Sequence, residues 1–230
     1  SCHRCNQKKM KKALVLLSGG QDSTTCLFWA KKKFSYLEAI GFDYGQRHIK
    51  ELKYAREICK RERIKFDIIK LDNILSNSAL IDKNENLNIK HPSNKKLPNS
   101  FVPGRNLIFL SIASAKAINS NIFDIVIGVC ETDYSGYPDC RKNFIDSIEK
   151  SINLAHNKKI NIHTPLMKLD KAETWKLAKE LGCLDIIIND TMSDYNGSNK
   201  KNEWGFGNLD NPASKLRREG YYKAKSKNWI

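Results

Sequence analysis

Lys12-Ala13-Leu14-Val15-Leu16-Leu17 runs without interruption into Ser18-Gly19-Gly20-Gln21-Asp22-Ser23. A short apolar run that stops at a Ser-Gly-Gly turn reads as a buried strand entering a tight loop. Residues 22–33, with Leu27, Trp29 and Ala30 among the larger side chains, predict a helix directly behind that loop. Strand, glycine loop and helix in this order bring unpaired helix N–H groups to the carboxyl end of a strand. In a doubly wound sheet that is where a phosphate binds. Gly19 and Gly20 let the backbone come close to an anion, and Ser18, Ser23 and Thr24 add hydroxyl donors. No Gly-x-Gly-x-x-Gly is present and no Gly-Lys-Ser/Thr follows, which excludes a dinucleotide fingerprint and a Walker loop. The competing reading is a structural Gly-rich turn with capping serines.

The chain repeats the alternation outward from this point. Residues 36–44 predict a second strand, 48–62 a helix through Leu52, Ala55, Ile58 and Cys59, and 66–71 a third strand. β-α-β-α-β alternation predicts an α/β fold, a doubly wound parallel sheet covered on both faces. Residues 72–100 are rich in Asn, Ser and Lys and read as an excursion, a loop or lid. Helices are predicted at 107–118, 143–154 and 171–181, the last begun by Asp170 as N-cap, and a strand at 123–129. From Thr191 onward Gly, Asn, Ser, Lys and Tyr dominate, and a loop-rich C-terminal appendage is expected over 191–230. The expected division is therefore a tail at 1–9, a core domain at 10–190 and the appendage.

The 230 residues hold 40 Lys+Arg against 25 Asp+Glu, a formal charge of +15. A basic chain can bind nucleic acid. Here the cations are scattered in short pairs such as Lys8-Lys9, Lys95-Lys96 and Arg217-Arg218, the pattern of a solvated surface, so direct nucleic-acid binding is not expected. No apolar run is long enough to span a bilayer, and no secretory signal opens the chain, so a cytoplasmic location is expected. Seven cysteines without regular spacing suit a reduced compartment. Cys2 and Cys5 supply at most half of a structural zinc site, and Met10 reads as a natural start behind a loose tail.

Ser-Gly-Gly-x-Asp-Ser after the first strand resembles the loop of the ATP pyrophosphatases, the PP-loop superfamily, which cleave ATP between the α- and β-phosphates. Further blocks narrow the likeness: Phe42-Asp43-Tyr44-Gly45-Gln46-Arg47-His48, Val102-Pro103-Gly104-Arg105-Asn106, the run from Gly128 to Arg141, and Thr164-Pro165-Leu166-Met167 with Lys171-Ala172-Glu173-Thr174. Together they resemble the 7-cyano-7-deazaguanine synthase family of the queuosine precursor pathway, over residues 11–225. The resemblance implies conversion of 7-carboxy-7-deazaguanine, ammonia and ATP to the nitrile, in two rounds of activation, with Mg²⁺ accompanying ATP. It implies ATP binding by Leu17, Ser18, Gly19, Gly20, Gln21, Asp22, Ser23, Thr24, Thr25, Cys26 and Leu27, and catalytic roles for Ser18, Asp22, Ser23 and Lys171.

The substrate-binding residues it implies are Tyr44, Gln46, Arg47, Arg105, Asn106, Asp133, Tyr134, Tyr137 and Asp139. Each fits a physical role. Asp133 and Asp139 can accept hydrogen bonds from a guanine-like edge. Tyr134 or Tyr137 can stack on a heterocycle. Arg47 and Arg105 can grip carboxylate or phosphate, and Lys171 can offset phosphate charge. A surface salt bridge or buried structural pair competes at each position taken singly.

The chain departs from the family near its C-terminus. The resemblance implies a structural zinc on four cysteines, one in a Cys-Tyr-Asn-Gly block and three before Leu-Arg. Here the blocks read Asp194-Tyr195-Asn196-Gly197 and Phe206 to Lys215, with no cysteine beyond Cys183. Asp194, Phe206, Leu209, Asn211 and Ser214 stand in that region and form a poor zinc set, so zinc is not carried over. Cys2 and Cys5 with Asp194 would be one replacement. An apolar cluster of Trp204, Phe206, Leu209, Tyr221 and Tyr222 is expected to hold the segment instead. Two other functions compete: an adenylating enzyme acting on tRNA, with Cys130 and Cys140 as candidate thiols, and a non-catalytic paralogue. A homodimer is compatible with the sequence.

Overall fold

A computed structural model describes residues 10–46, 50–71, 101–132, 137–194 and 196–230, and the backbone of 90–91 and 94–98. The expected lid at 72–100 therefore lies almost wholly outside the described residues, as do the tail at 1–9 and Arg47, Asp133, Tyr134 and Tyr195. The elements are β1 (Lys12–Leu16), α1 (Gln21–Lys33), β2 (Tyr36–Asp43), α2 (Lys50–Arg61), β3 (Lys65–Lys70), β4 (Lys90–His91), β5 (Asn94–Pro98), α3 (Arg105–Asn119) and β6 (Asp124–Val126). A 3-10 turn (Pro138–Cys140) follows. The chain then continues through α4 (Lys142–His156), β7 (Asn161–His163), α5 (Lys171–Glu180), α6 (Leu184–Asp190), β8 (Lys201–Asn202), β9 (Gly205–Phe206) and α7 (Pro212–Ser226).

Five strands form one sheet in the order β3-β2-β1-β6-β7, every pairing parallel. β1 sits in the middle, and the chain leaves it toward β2 on one side and returns as β6 on the other. The crevice for a ligand in such a sheet opens at the carboxyl ends of the two strands flanking that reversal. Here these are β1 and β6.

Side chains alternate across β1. Leu14 and Leu16 face a cluster with Leu110, Ala113 and Ala117 of α3 and Ile145, Ile148 and Ile152 of α4. Ala13, Val15 and Leu17 face the other, with Leu27 of α1, Ile58 of α2, Trp175 of α5 and Tyr221 and Ala224 of α7. The two-residue period of a strand makes this division, and helices must cover both faces because every residue from Ala13 to Leu17 is buried. Fully burying each Leu or Ile contributes roughly 1.5–3 kcal/mol, so β1 is an anchored end for the loop it carries.

Two expectations need correction, and two elements were not foreseen. The 191–230 segment is loop-rich only as far as residue 211. Asn211 caps α7 by accepting from the Ser214 N–H, and Pro212 at its start has no N–H to leave unpaired, so fifteen residues become helical. The strand predicted at 123–129 pairs only over Asp124–Val126. β7 and α6, three and seven residues long, are too short for periodicity to reveal them. Among the described residues no helix is long and apolar enough to cross a membrane.

Candidate functional site

The loop after β1 is closed by its own hydroxyls. The Ser18 N–H donates to Ser23 Oγ at 3.2 Å, the two hydroxyls lie 3.0 Å apart, and the Gly20 N–H donates to Ser18 Oγ at 3.3 Å. Gly20 is the N-cap of α1 and offers no side-chain acceptor, so the N–H groups of Asp22 and Ser23, behind the Gln21 N–H that bonds Ser193, are left to an anion. Gly19 has φ +92°, and a Cβ there would lie 2.0 Å from the Glu51 carbonyl oxygen of α2. Only glycine permits that approach. The expected ATP-binding run is thus split by burial. Ser18 and Gly20 border solvent, whereas Leu17, Thr24, Thr25, Cys26 and Leu27 are at most 1% exposed. Their side chains pack in the core, and burial pushes the Cys26 thiol far up. The Thr25 hydroxyl is spent on the Gln21 carbonyl at 2.9 Å.

Lys171 begins α5 and reaches across to Asp22 in the first turn of α1, with Nζ at 2.8 and 3.0 Å from the two carboxylate oxygens. α5 starts where it does because Asp170 and Glu173 form a capping box: the Glu173 N–H donates to Asp170 Oδ1 at 2.8 Å and the Asp170 N–H to Glu173 Oε2 at 2.7 Å. A cation and a carboxylate thus stand at the start of α1, beside the glycine loop after β1.

Among the residues expected to bind substrate, several of those described are spent on building turns and joints. Gln46 Oε1 accepts from the Tyr44 N–H at 2.8 Å and Nε2 donates to the Phe42 carbonyl at 3.1 Å, so Gln46 ties its own turn. Asp139 is buried and accepts from the Asn106 N–H at 3.0 Å, while Asn106 Nδ2 donates to the Asp139 carbonyl at 3.1 Å. These two residues fasten the start of α3 to the 3-10 turn. Tyr137 is buried against Phe101, with the Arg105 guanidinium 5.9 Å from its ring centre. Arg105 also bonds Tyr44, whose phenol is pushed up by burial against the pull of that cation. Arg105 is therefore the node that joins the Tyr44 block to the Tyr137 block.

Glu51 was absent from the sequence-predicted set. It is half-buried at the start of α2, and its carboxyl is pushed up to about 8, chiefly by burial and further by Asp194, against the pull of Arg105 and Arg217. Its two cationic neighbours come from α3 and α7, so only tertiary packing exposes the group.

The C-terminal segment is bound to the loop. The Met192 N–H donates to the Gly19 carbonyl at 3.1 Å and the Gln21 N–H to Ser193 Oγ at 3.2 Å. Arg217 of α7, 1% exposed, holds the segment from behind. Nε donates to the Trp204 carbonyl at 2.9 Å, Nη1 to Thr191 Oγ1 at 3.0 Å and Ser193 Oγ at 3.1 Å, and Nη2 to the Ile187 carbonyl at 2.6 Å. Burial lowers this guanidinium to about 10, so it remains charged at neutral pH. Ser193 lay in no motif, and Arg217 entered only as the Leu-Arg that closes the C-terminal block, with no role attached. Both are single polar residues whose meaning depends on contacts between distant elements.

Asp194 is fully buried. Its Oδ1 accepts from the Asn196 N–H at 2.7 Å; its Oδ2 accepts from the Asn208 N–H at 2.6 Å and the Ser214 hydroxyl at 3.1 Å. Asn211 Nδ2 in turn donates to Ser214 Oγ at 3.3 Å. Of the positions expected around a family zinc, the structure brings Asp194, Asn211 and Ser214 together, and adds Asn208. Phe206 stands apart, 6.1 Å from Tyr54 ring to ring, and Leu209 is exposed. The donor set does not fit zinc: it has a single carboxylate, already engaged three times, and no thiol or imidazole. The expected apolar cluster is also corrected, since Trp204 and Tyr221 are buried but Leu209 and Tyr222 are not.

Residues 12–225 match the family described as "Queuosine biosynthesis protein QueC". The chain is 48% identical over 221 residues to a 7-cyano-7-deazaguanine synthase of Bacteroides fragilis, covering 95% of this chain and 98% of that protein. It is 50% identical over 213 residues to the synthase of Phocaeicola vulgatus, covering 92% and 93%. Among solved structures, a 4-thiouridine synthetase–RNA complex with bound ATP superposes with a TM-score of 0.50 at 17% identity, over 94% of this chain and 51% of that one. That likeness concerns the fold alone.

Proposed function

The chain belongs to the queuosine biosynthesis protein QueC family, and we propose that it performs the synthase reaction of that family. It converts 7-carboxy-7-deazaguanine, ammonia and ATP to 7-cyano-7-deazaguanine. The observation that carries this reading is near-half identity over the whole length of relatives named for that activity. ATP enters as its magnesium complex and is a substrate.

The chemistry assigns tasks to the residues at hand. A carboxylate oxygen attacks the α-phosphorus, and the bond to the bridging oxygen of pyrophosphate breaks. The Ser18–Ser23 loop and the first turn of α1 are suited to the negative charge that builds on the departing group. Lys171, held at Asp22, adds a cation at the same end. Ammonia then attacks the acyl carbon, AMP leaves and the nitrogen loses a proton. In the second round the amide oxygen attacks a fresh ATP, and the nitrile forms as the C–O bond to AMP breaks and nitrogen gives up its remaining protons. Arg105, between Tyr44 and Tyr137, is the described cation suited to orient the substrate carboxylate.

Of the two candidate thiols for a thiol-transfer reading, Cys140 is poorly suited. Cys140 is pushed up to about 12 by burial and by Asp139, so it is not a thiolate at neutral pH. The test is mass spectrometry of the purified protein with 7-carboxy-7-deazaguanine, ammonium, ATP and Mg²⁺. Nitrile and AMP together are expected. Neither product, from a protein that still binds ATP, would replace this reading with that of a non-catalytic relative.

A further inference from the structure

We infer that Ser193, outside the phosphate loop, is a further pyrophosphate-contacting residue, a hydroxyl donor aimed at the leaving group and held in that role by Arg217. The inference rests on the functional reading above and extends it to a residue of the C-terminal segment.

A serine hydroxyl has one proton to give and room to accept two. Both acceptor places on Ser193 are filled, by the Gln21 N–H at 3.2 Å and by Arg217 Nη1 at 3.1 Å. What remains is the O–H, and among the described residues no acceptor takes it. Ser193 is only half-buried, so its remaining O–H is not closed off in the core.

The second observation is the shape of the loop opposite it. A Cβ on Gly20 would lie 3.5 Å from Ser18 Oγ, 3.6 Å from Ser193 Oγ and 3.4 Å from the Met192 carbonyl. Two hydroxyls from distant parts of the chain therefore flank one side-chain-free face at the start of α1. An oxygen of pyrophosphate on that face meets both, together with the helix N–H groups. The Met192 carbonyl is an acceptor and keeps the anion toward the hydroxyls.

Arg217 is the positioning residue. Its Nη1 withdraws electron density from Ser193 Oγ, which makes the O–H a stronger donor. Its guanidinium is fixed behind the hydroxyl by four hydrogen bonds before any reaction, and a charge held in advance stabilises developing negative charge without reorganisation.

The experiment compares wild type, Ser193→Ala and Ser193→Thr for KM of ATP, kcat, inhibition by inorganic pyrophosphate and Tm. Ser193→Ala is expected to weaken both pyrophosphate inhibition and ATP affinity about tenfold, the loss of one hydrogen bond to a charged group. Ser193→Thr keeps the hydroxyl and restores both to within about twofold. Unchanged pyrophosphate inhibition in Ser193→Ala, with only a lower Tm, overturns the assignment and makes Ser193 a clamp for α1. Calorimetric titration with pyrophosphate needs no turnover. A wild type that makes no nitrile would thus overturn the functional reading, while the ratio of pyrophosphate affinities still decides the role of Ser193.

Discussion

The phosphate loop and the Asp194 cluster touch at Ser193 but are built on opposite principles. In the loop, the N-cap Gly20 brings no side chain of its own to the start of α1, Ser193 takes only the Gln21 N–H, and glycine keeps the surface clear. In the cluster, Asp194, Asn211 and Ser214 are fully buried and satisfy one another. Unspent donors beside an open face mark a place for a ligand, whereas a closed network marks a structural joint. The contrast explains why a segment without the family's metal ligands can still adjoin an intact loop: the joint needs three donors on a carboxylate, and the chain supplies them.

Gly19→Ala should break the loop half of this comparison most severely. A Cβ would meet the Glu51 carbonyl at 2.0 Å, and φ +92° is strained for alanine even with space. We expect a loss of more than about 3 kcal/mol in urea unfolding, because backbone must move at both the loop and α2. ATP binding by calorimetry should vanish with it. Wild-type affinity in this variant would show that the loop tolerates a different geometry.

Asp194→Ala tests the other half. It strands the Asn196 and Asn208 N–H groups and the Ser214 hydroxyl, all bonded to the carboxylate. An unsatisfied buried donor costs about 1–3 kcal/mol; the buried Ser214 hydroxyl bears this in full, while the exposed Asn196 and half-buried Asn208 N–H groups turn partly to water, so about 2–3 kcal/mol is expected in the same unfolding measurement. KM for ATP should rise as the Met192–Ser193 segment loosens. A change under about 0.5 kcal/mol, the range of ordinary surface substitutions, would mean that packing alone holds the joint.

These two sites also differ in how far the sequence discloses them. Leu14 to Ser23 declares a strand, a turn and a helix start by local rules, so the central strand and the glycine turn that opens α1 were readable. The Lys171–Asp22 pair was readable only in parts: Asp170 predicts where α5 begins, but its packing against α1 brings the two charges within 2.8 Å. The Asp194 cluster was not readable, because Asn208 contributes a backbone N–H and any residue but proline has one. Arg217 looked like one more cation in a chain of formal charge +15. What distinguishes it is burial beneath Trp204, Thr191 and Ile187, a property of the assembled core.

Glu51 offers a pH test at the border between the two regions. Its folded value, about 8, lies above its ordinary 4.5. Between these the unfolded carboxyl is ionised while the folded one keeps its proton. The stabilisation is therefore full below the ordinary value, falls as pH rises through the window, and is gone above about 8. Arg105 from α3, and Arg217 and Asp194 from the C-terminal segment, are the charges that face it. Glu51→Gln should remove about 2 kcal/mol of this slope, a figure discounted for partial exposure. Tm measured from about pH 5 to 9 should flatten in the variant. Parallel profiles for the two proteins would assign the slope to other groups.

The smallest expected effect is the response to a metal chelator, and it separates the cluster from a metal centre most directly. A structural zinc contributes its binding energy to folding, so its removal collapses the segment around it. Here the lone pairs that a cation would need are already shared. Asp194 serves three donors, and Asn211 Oδ1 caps α7. Among the described residues of the cluster the only carboxylates at hand are Asp194 and, on the far side of the Asn211 amide, Asp210, with no thiolate or imidazole. Dialysis against EDTA, with magnesium restored afterwards, should leave Tm within about 1 °C and turnover unchanged, since no folding energy is drawn from a metal. Cysteines placed together at Asp194, Asn208, Asn211 and Ser214 should reverse that result. The fourfold variant is expected to take up zinc and to lose stability on chelation. A chelator-sensitive wild type would instead require ligands from outside the cluster, and would make the carboxylate network a consequence of metal binding rather than a substitute for it.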